Sequence, residues 1–215
     1  VAGLVLIGTG PGFRNDEAWV VAQNDAANAF NPDLFSRFDW HDAGADLWYC
    51  QAVYDAATLV GDALREMQRK DGPYLMQNNI DASANLIVGG QVKGEAMRLF
   101  HVYAQGNFIE ATDETPYFQL GESKYGKPIL DRVVSMATPQ KEAAKCVLIS
   151  FDSTMKSNIS VGLPIDLLWY PRDSLRVGMQ HRIREGDPYF TMLRSRWGGG
   201  LRRVFSELPD PDWLE

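Results

Sequence analysis

The residues best placed to do chemistry stand at Gly121-Glu122-Ser123-Lys124-Tyr125, directly after the strand-like run Pro116-Tyr117-Phe118-Gln119-Leu120. A glycine that turns an apolar strand straight into a helix leaves the next side chains and N–H groups at an open sheet end. Anions and reacting carbonyls are commonly handled there. The setting is that of a serine-hydrolase elbow, but G-x-S-x-G needs glycine at its fifth position and Tyr125 stands there, so Ser123 is not expected to be a nucleophile. The plainer alternative is that Glu122 and Ser123 cap the following helix, with Glu122 favoured near the positive end of its dipole.

A second polar stretch is Lys156-Ser157-Asn158-Ile159-Ser160-Val161-Gly162. Ser153-Thr154-Met155-Lys156 reads formally as S-x-x-K, yet no S-D-N or K-T-G element accompanies it, so local capping is the better explanation. Gly8-Thr9-Gly10-Pro11-Gly12-Phe13 resembles a dinucleotide turn but ends in Phe where glycine or alanine is needed. No second apolar strand ends in an acid at ribose distance, so a plain turn is expected. His41, His101 and His181 lack metal-ligand spacing, and neither Cys50 nor Cys146 belongs to a CxxC pair. No metal and no cofactor are expected.

Composition narrows the classes. The formal net charge of −7 argues against nucleic acid as a partner, and the stripe Arg194, Arg196, Arg202, Arg203 reads as a solvated face or a subunit contact. No apolar run reaches the ~18 residues of a membrane span, and the start Val-Ala-Gly-Leu-Val-Leu-Ile lacks the basic region of a signal peptide. Both cysteines fall in apolar helical patterns and read as buried reduced thiols, so a soluble protein of the cytoplasm is expected. The 215 residues, 45% of them apolar, can bury one sizeable core, and a single domain over 1–215 suffices.

The elements that must position the two polar stretches are legible in outline. Ala2 to Ile7 reads as a buried strand and Asp16 to Phe30 as a helix, while Phe35 to Asp46 is irregular. Residues 46 to 70 carry apolar residues at helical spacing until Asp71-Gly72-Pro73 stops them. Asp81–Gly89, Ala96–Ala104, Asn107–Ala111 and Tyr117–Leu120 read as one antiparallel meander. The consecutive Leu86-Ile87-Val88 implies a strand covered on both faces. Helices are expected over Tyr125–Ser135 and from Pro139, at a first helical position with Thr138 as cap, to Lys156. Strands at Ile165–Tyr170 and Arg176–Val177 precede a last helix from Asp187-Pro188 through Phe205. Gly198-Gly199-Gly200 weakens that helix and suggests a kink or close packing. The pattern alone gives an α+β class with a sheet covered on both faces.

Gly121 to Arg132, Phe151 to Asn158 and Ser160-Val161-Gly162-Leu163-Pro164-Ile165-Asp166 closely resemble the bacterial Anbu proteins, the "ancestral β-subunit" branch of the proteasome superfamily, from about Trp48 to Glu215. Residues 1–47 match that family poorly. The resemblance implies an αββα four-layer sandwich of two antiparallel sheets flanked by helices, the N-terminal nucleophile hydrolase type. It implies peptide-bond hydrolysis of peptide or unfolded protein substrates, and self-association into a ring or open spiral. It also aligns Glu122 with a polar residue that helps position the nucleophile, with Ser123 beside it, and Ser157 and Ser160 with an acid and a serine that hold the terminal amine. Ser157 replaces the acid, and Val161 replaces the first glycine of a pair. The site is therefore expected at Glu122, Ser123, Ser157 and Ser160, as supporting rather than attacking groups.

In such enzymes the first residue is Thr, Ser or Cys and its own α-amine is the base. Val1 offers no nucleophile, no lysine precedes Lys70, and Gly8 to Asp16 does not match the family's acid-bearing segment. Loss of the front end is the favoured explanation over divergence of residues 8 to 47 or a dead enzyme. A catalytically inactive structural subunit of the same fold is the alternative function, and a nucleotide-binding module on Gly8–Gly12 the third.

Overall fold

The computed structural model describes residues 4–7, 18–24, 50–81 and 83–214. The Gly8–Gly12 turn, the irregular stretch 35 to 46, His41 and Val1 lie outside the described residues.

Among the described residues, eight strands form two antiparallel sheets. β1 (Leu4–Ile7), β2 (Ala18–Asn24), β6 (Tyr117–Leu120), β7 (Ile165–Pro171) and β8 (Met179–Ile183) make one, in the order β6-β1-β2-β7-β8. β3 (Leu86–Gly90), β4 (Arg98–Val102) and β5 (Phe108–Glu110) make the other. Within the helix expected over Asp16–Phe30, the rest of which lies outside the described residues, residues 18–24 are instead the strand β2. Its run Trp19-Val20-Val21 has strong β propensity, and it pairs on one side with β1 and on the other with β7, a central place where sheet packing decides.

The four-strand meander is corrected too. β3, β4 and β5 follow one another, but β6 leaves to pair with β1, Leu4 opposite Leu120 and Ile7 opposite Tyr117. The reason is local. Thr112 and Thr115 exchange backbone hydrogen bonds of 3.1 and 3.0 Å in a tight turn, and Pro116 then has no N–H with which to continue the ladder.

Helix α1 (Val53–Gln77) begins where the Asp55 carboxylate accepts from the N–H groups of Gln51 and Ala52 at 2.9 and 3.0 Å. Cys50 therefore precedes the helix rather than lying in it. The stop expected at Asp71-Gly72-Pro73 does not occur, and Pro73 sits inside the helix. Val53, Ala57 and Leu64 are buried with Phe100 and Val102 of β4, and this packing holds α1 on the three-stranded sheet.

On the far side lie α2 (Lys127–Val133), α3 (Gln140–Ser157) and α4 (Pro188–Glu207). Pro139 is the residue before α3 rather than its first. Thr138 does not cap it: its hydroxyl accepts from Ser135 N and donates to Val133 O, closing the α2–α3 turn. Asp187 caps α4 through Phe190 N at 2.8 Å. The helix runs unbroken through Gly198–Gly200, and a Cβ at Gly199 or Gly200 would meet nothing within 4 Å, so no close packing explains them. Arg176–Val177 is not a strand, because Asp173 (φ 57°) and Leu175 (φ 50°) turn the chain and delay β8 to Met179.

Apolar residues fill the gaps between layers. Met97, Leu99 and Phe118, with Ile87 and Tyr170, lie between the sheets. Leu130, Val147, Phe151, Ile165 and Phe190 form the core between the five-stranded sheet and α3. Burying each such side chain contributes ~1.5–3 kcal/mol. Ile87 and Val88 face opposite clusters, so β3 is covered on both faces there, although Leu86 is exposed. The order helix, sheet, sheet, helices is the αββα sandwich. Cys146 is a buried thiol as expected, whereas Cys50 is only half-buried, and no helix among the described residues is long and apolar enough to cross a membrane.

Candidate functional site

Both polar stretches meet at one corner. Gly121 ends β6 with φ 83°, a conformation that side-chain-bearing residues rarely adopt, and this turns Glu122 back toward the end of α3. The Glu122 carboxylate accepts from Lys124 N–H at 2.9 Å and from Asn158 Nδ2 at 3.1 Å. Asn158 Oδ1 in turn accepts from Ser160 N at 2.9 Å and Ser160 Oγ at 2.7 Å. Polarity therefore runs one way, from the Ser160 hydroxyl through the Asn158 amide to the carboxylate. The Lys124 N–H, and secondarily the Asn158 amide, hold Glu122 below the usual carboxylate range despite some burial. With its proton committed to Asn158, the Ser160 oxygen presents lone pairs outward, able to hold an amine or hydroxyl donor.

Behind this corner the backbone is tightly seated. A Cβ on Gly126 would fall on Ser150 Oγ and 2.9 Å from Thr154 Oγ1, both on buried residues of α3, so the turn lies directly against that helix. Asp152, 1% exposed, anchors α3 to α4: its Oδ1 accepts from Arg194 Nε at 2.6 Å. Its Oδ2 stands 3.4 Å from Lys156 Nζ without a formed hydrogen bond.

Beside the corner, Asp131 Oδ1 accepts from Lys127 Nζ at 2.6 Å and from Tyr117 OH at 2.5 Å. Burial pushes Asp131 up, but the hydrogen bonds from Lys127 and Tyr117 outweigh it and leave it lowered. Burial, then Asp131, pushes the Tyr117 phenol far up. Tyr117, Lys127 and Asp131 line a cavity of about 380 Å³ that Ser123 and Gln119 also reach. Gln119 Nε2 donates to Glu122 O at 3.1 Å, so the cavity and the corner share a wall.

No family model matches this sequence, and no curated protein does. Solved structures do. Anbu (ancestral beta-subunit) from Yersinia bercovieri superposes with a TM-score of 0.79 at 40% identity, over 99% of this chain and 100% of that one. The chain belongs to the Anbu family. An Anbu (Gly-1) mutant from Hyphomicrobium sp. strain MC1 matches with a TM-score of 0.79 at 38% identity, over 99% of this chain and 100% of that one. The helical assembly of the Anbu complex from Pseudomonas aeruginosa also gives a TM-score of 0.79 at 38% identity, covering 97% and 98%. The likeness thus reaches in front of Trp48, where the sequence showed little of it, and the sandwich is the proteasome-like N-terminal nucleophile hydrolase fold of Anbu.

Within this Anbu fold, the four residues singled out from the sequence fare differently. Glu122 and Ser160 are joined through Asn158. Ser123 points its carbonyl to Lys127 N at 3.0 Å and lines the cavity. Ser157, exposed at the last position of α3, has no side-chain hydrogen bond among the described residues. Gly126, not Glu122 or Ser123, is the residue before α2, and no side chain caps that helix. Sequence reasoning missed Asn158, whose place two residues before Ser160 is the spacing of an Asx turn. It also missed Arg194, which pairs with buried Asp152 instead of standing in a solvated stripe. Among the described residues no cluster of His, Cys, Asp and Glu could hold a metal ion. The Cys146 thiol is buried and pushed up to about 11, unsuited to attack.

Proposed function

We propose that this Anbu chain is a self-assembling proteasome-type subunit that hydrolyses peptide bonds. The observation that carries the reading is the directed chain Ser160–Asn158–Glu122, which leaves the Ser160 oxygen free to accept from an amine. An N-terminal nucleophile needs its α-amine held by acceptors of this kind, with the amine acting as base. In this reading Glu122 and Ser160 position the reacting groups, Ser123 borders the bound peptide, and Ser157 lies at the rim. None of them attacks. A reducing compartment such as the cytoplasm fits the buried Cys146 thiol. Self-association into a ring or open spiral is supported by the helical assembly of the Pseudomonas aeruginosa relative.

A structural subunit without activity is the second reading, favoured by Ser157 standing where the family pattern has an acid. Mass spectrometry of unstructured peptides incubated with the protein separates the two. The peptidase reading expects new termini, and Asn158→Ala is expected to reduce cleavage about 10²-fold by misplacing the held groups, with particle size in light scattering unchanged. Intact assembly with no cleavage of any peptide would establish the structural reading instead.

A further inference from the structure

The cavity beside Glu122 is lined with acceptors. Ile109, Pro116 and Val134 supply apolar wall, while Glu114, Gln119 and Asp131 supply oxygen. Lys127, the cation that also lines it, is already matched by Asp131 at 2.6 Å. Glu114 has no ion-pair partner among the described residues, so the lining carries an unbalanced negative charge. Gln119 adds a second unmet demand. Its Nε2 is committed to the Glu122 carbonyl, which fixes the amide's orientation, and its Oε1 is buried with no hydrogen-bond partner. A buried acceptor without a donor costs free energy, which a ligand donor recovers once a small side-chain shift opens Oε1 to the cavity.

An occupant that satisfies all three features has an apolar stem, several donors and a positive charge at its end. Arginine and lysine side chains have this form. Because Gln119 joins the cavity wall to the backbone of Glu122, a peptide held at the corner lies within reach of the cavity. We infer that the cavity is a specificity pocket for a basic side chain of a bound peptide, with Glu114 and Gln119 as the recognising groups. This inference rests on the peptide-handling reading of the corner.

Calorimetric binding of two capped pentapeptides to the assembled full-length chain tests it. One carries a central arginine among alanines; the other carries citrulline, the neutral analogue of the same shape. The arginine peptide is expected to bind about tenfold tighter. Glu114→Gln is expected to reduce that preference about threefold, since Glu114 is exposed, and Glu114→Lys to abolish it. Glu114 lies in a surface turn, and an unchanged melting temperature confirms that each variant is folded. Equal affinity for the two peptides, binding of neither, or an undiminished preference in Glu114→Lys would overturn the pocket. Selective binding without cleavage supports the pocket and removes only the peptidase reading.

Discussion

The anionic form of Glu122 is strengthened by what surrounds it. Lys124 N–H contributes most and Asn158 less, and both stabilise only the charged form. Replacing Asn158 with alanine therefore raises the Glu122 pKa toward the ordinary glutamate value. A carboxyl NMR titration of wild type and Asn158→Ala checks this: the variant's midpoint is expected at higher pH, and an unchanged midpoint would show that Asn158 does not contact the carboxylate in solution. At this scale the sequence was half legible. Glu122 could be singled out because a glycine ends the strand before it, and Ser160 through the resemblance to a family pattern with a serine two residues before a glycine. That they meet could not be read, since the connecting Asn158 is an ordinary loop residue until the end of α3 is brought against the 121–126 turn. The Tyr117–Asp131 bond escaped for the same reason, although Lys127 and Asp131 already stand at i,i+4 spacing.

At the scale of elements, the site depends on how closely the 121–126 turn and α2 sit on α3. Gly126→Ala places a methyl on Ser150 and Thr154, and overpacking of this kind costs ~1–3 kcal/mol. Urea unfolding is expected to show that loss; no change in midpoint would mean that the turn is not seated as described. Acid sensitivity belongs to α2. Asp131 is lowered from 3.8 in the folded chain, so its contribution to stability is present above the unfolded value and is lost as pH falls through the folded one. Melting temperatures followed downward from about pH 5 are expected to fall less steeply in Asp131→Asn than in wild type. Parallel curves would contradict the Lys127–Asp131–Tyr117 arrangement.

Elements themselves were read well where periodicity was long, as in α3 and α4. They were misread where neighbours decide. β2 looked helical because Asp16–Phe30 mixes polar and apolar residues without strict alternation, and its partner β7 lies far away in sequence. The end of α1 was set too early because Asp71-Gly72-Pro73 is a strong local stop, yet the helix carries Pro73 four residues before it ends at Gln77.

For the molecule as a whole, the class was visible before the layers were. Alternating blocks of strands and helices pointed to α+β, and Ile87-Val88 to a strand covered twice. What no local pattern revealed is that β6 crosses from one sheet to the other, and that crossing brings Glu122 to the end of the five-stranded sheet beside α3. Segments 119–127 and 157–162, distant in sequence, meet at one corner, which we propose handles peptides. Hydrogen exchange of the assembled protein with and without a saturating unstructured peptide tests it directly. Joint slowing of exchange in both segments is expected, with β8 and α1 unaffected; protection confined to other regions, or to only one of the two segments, would refute the shared corner.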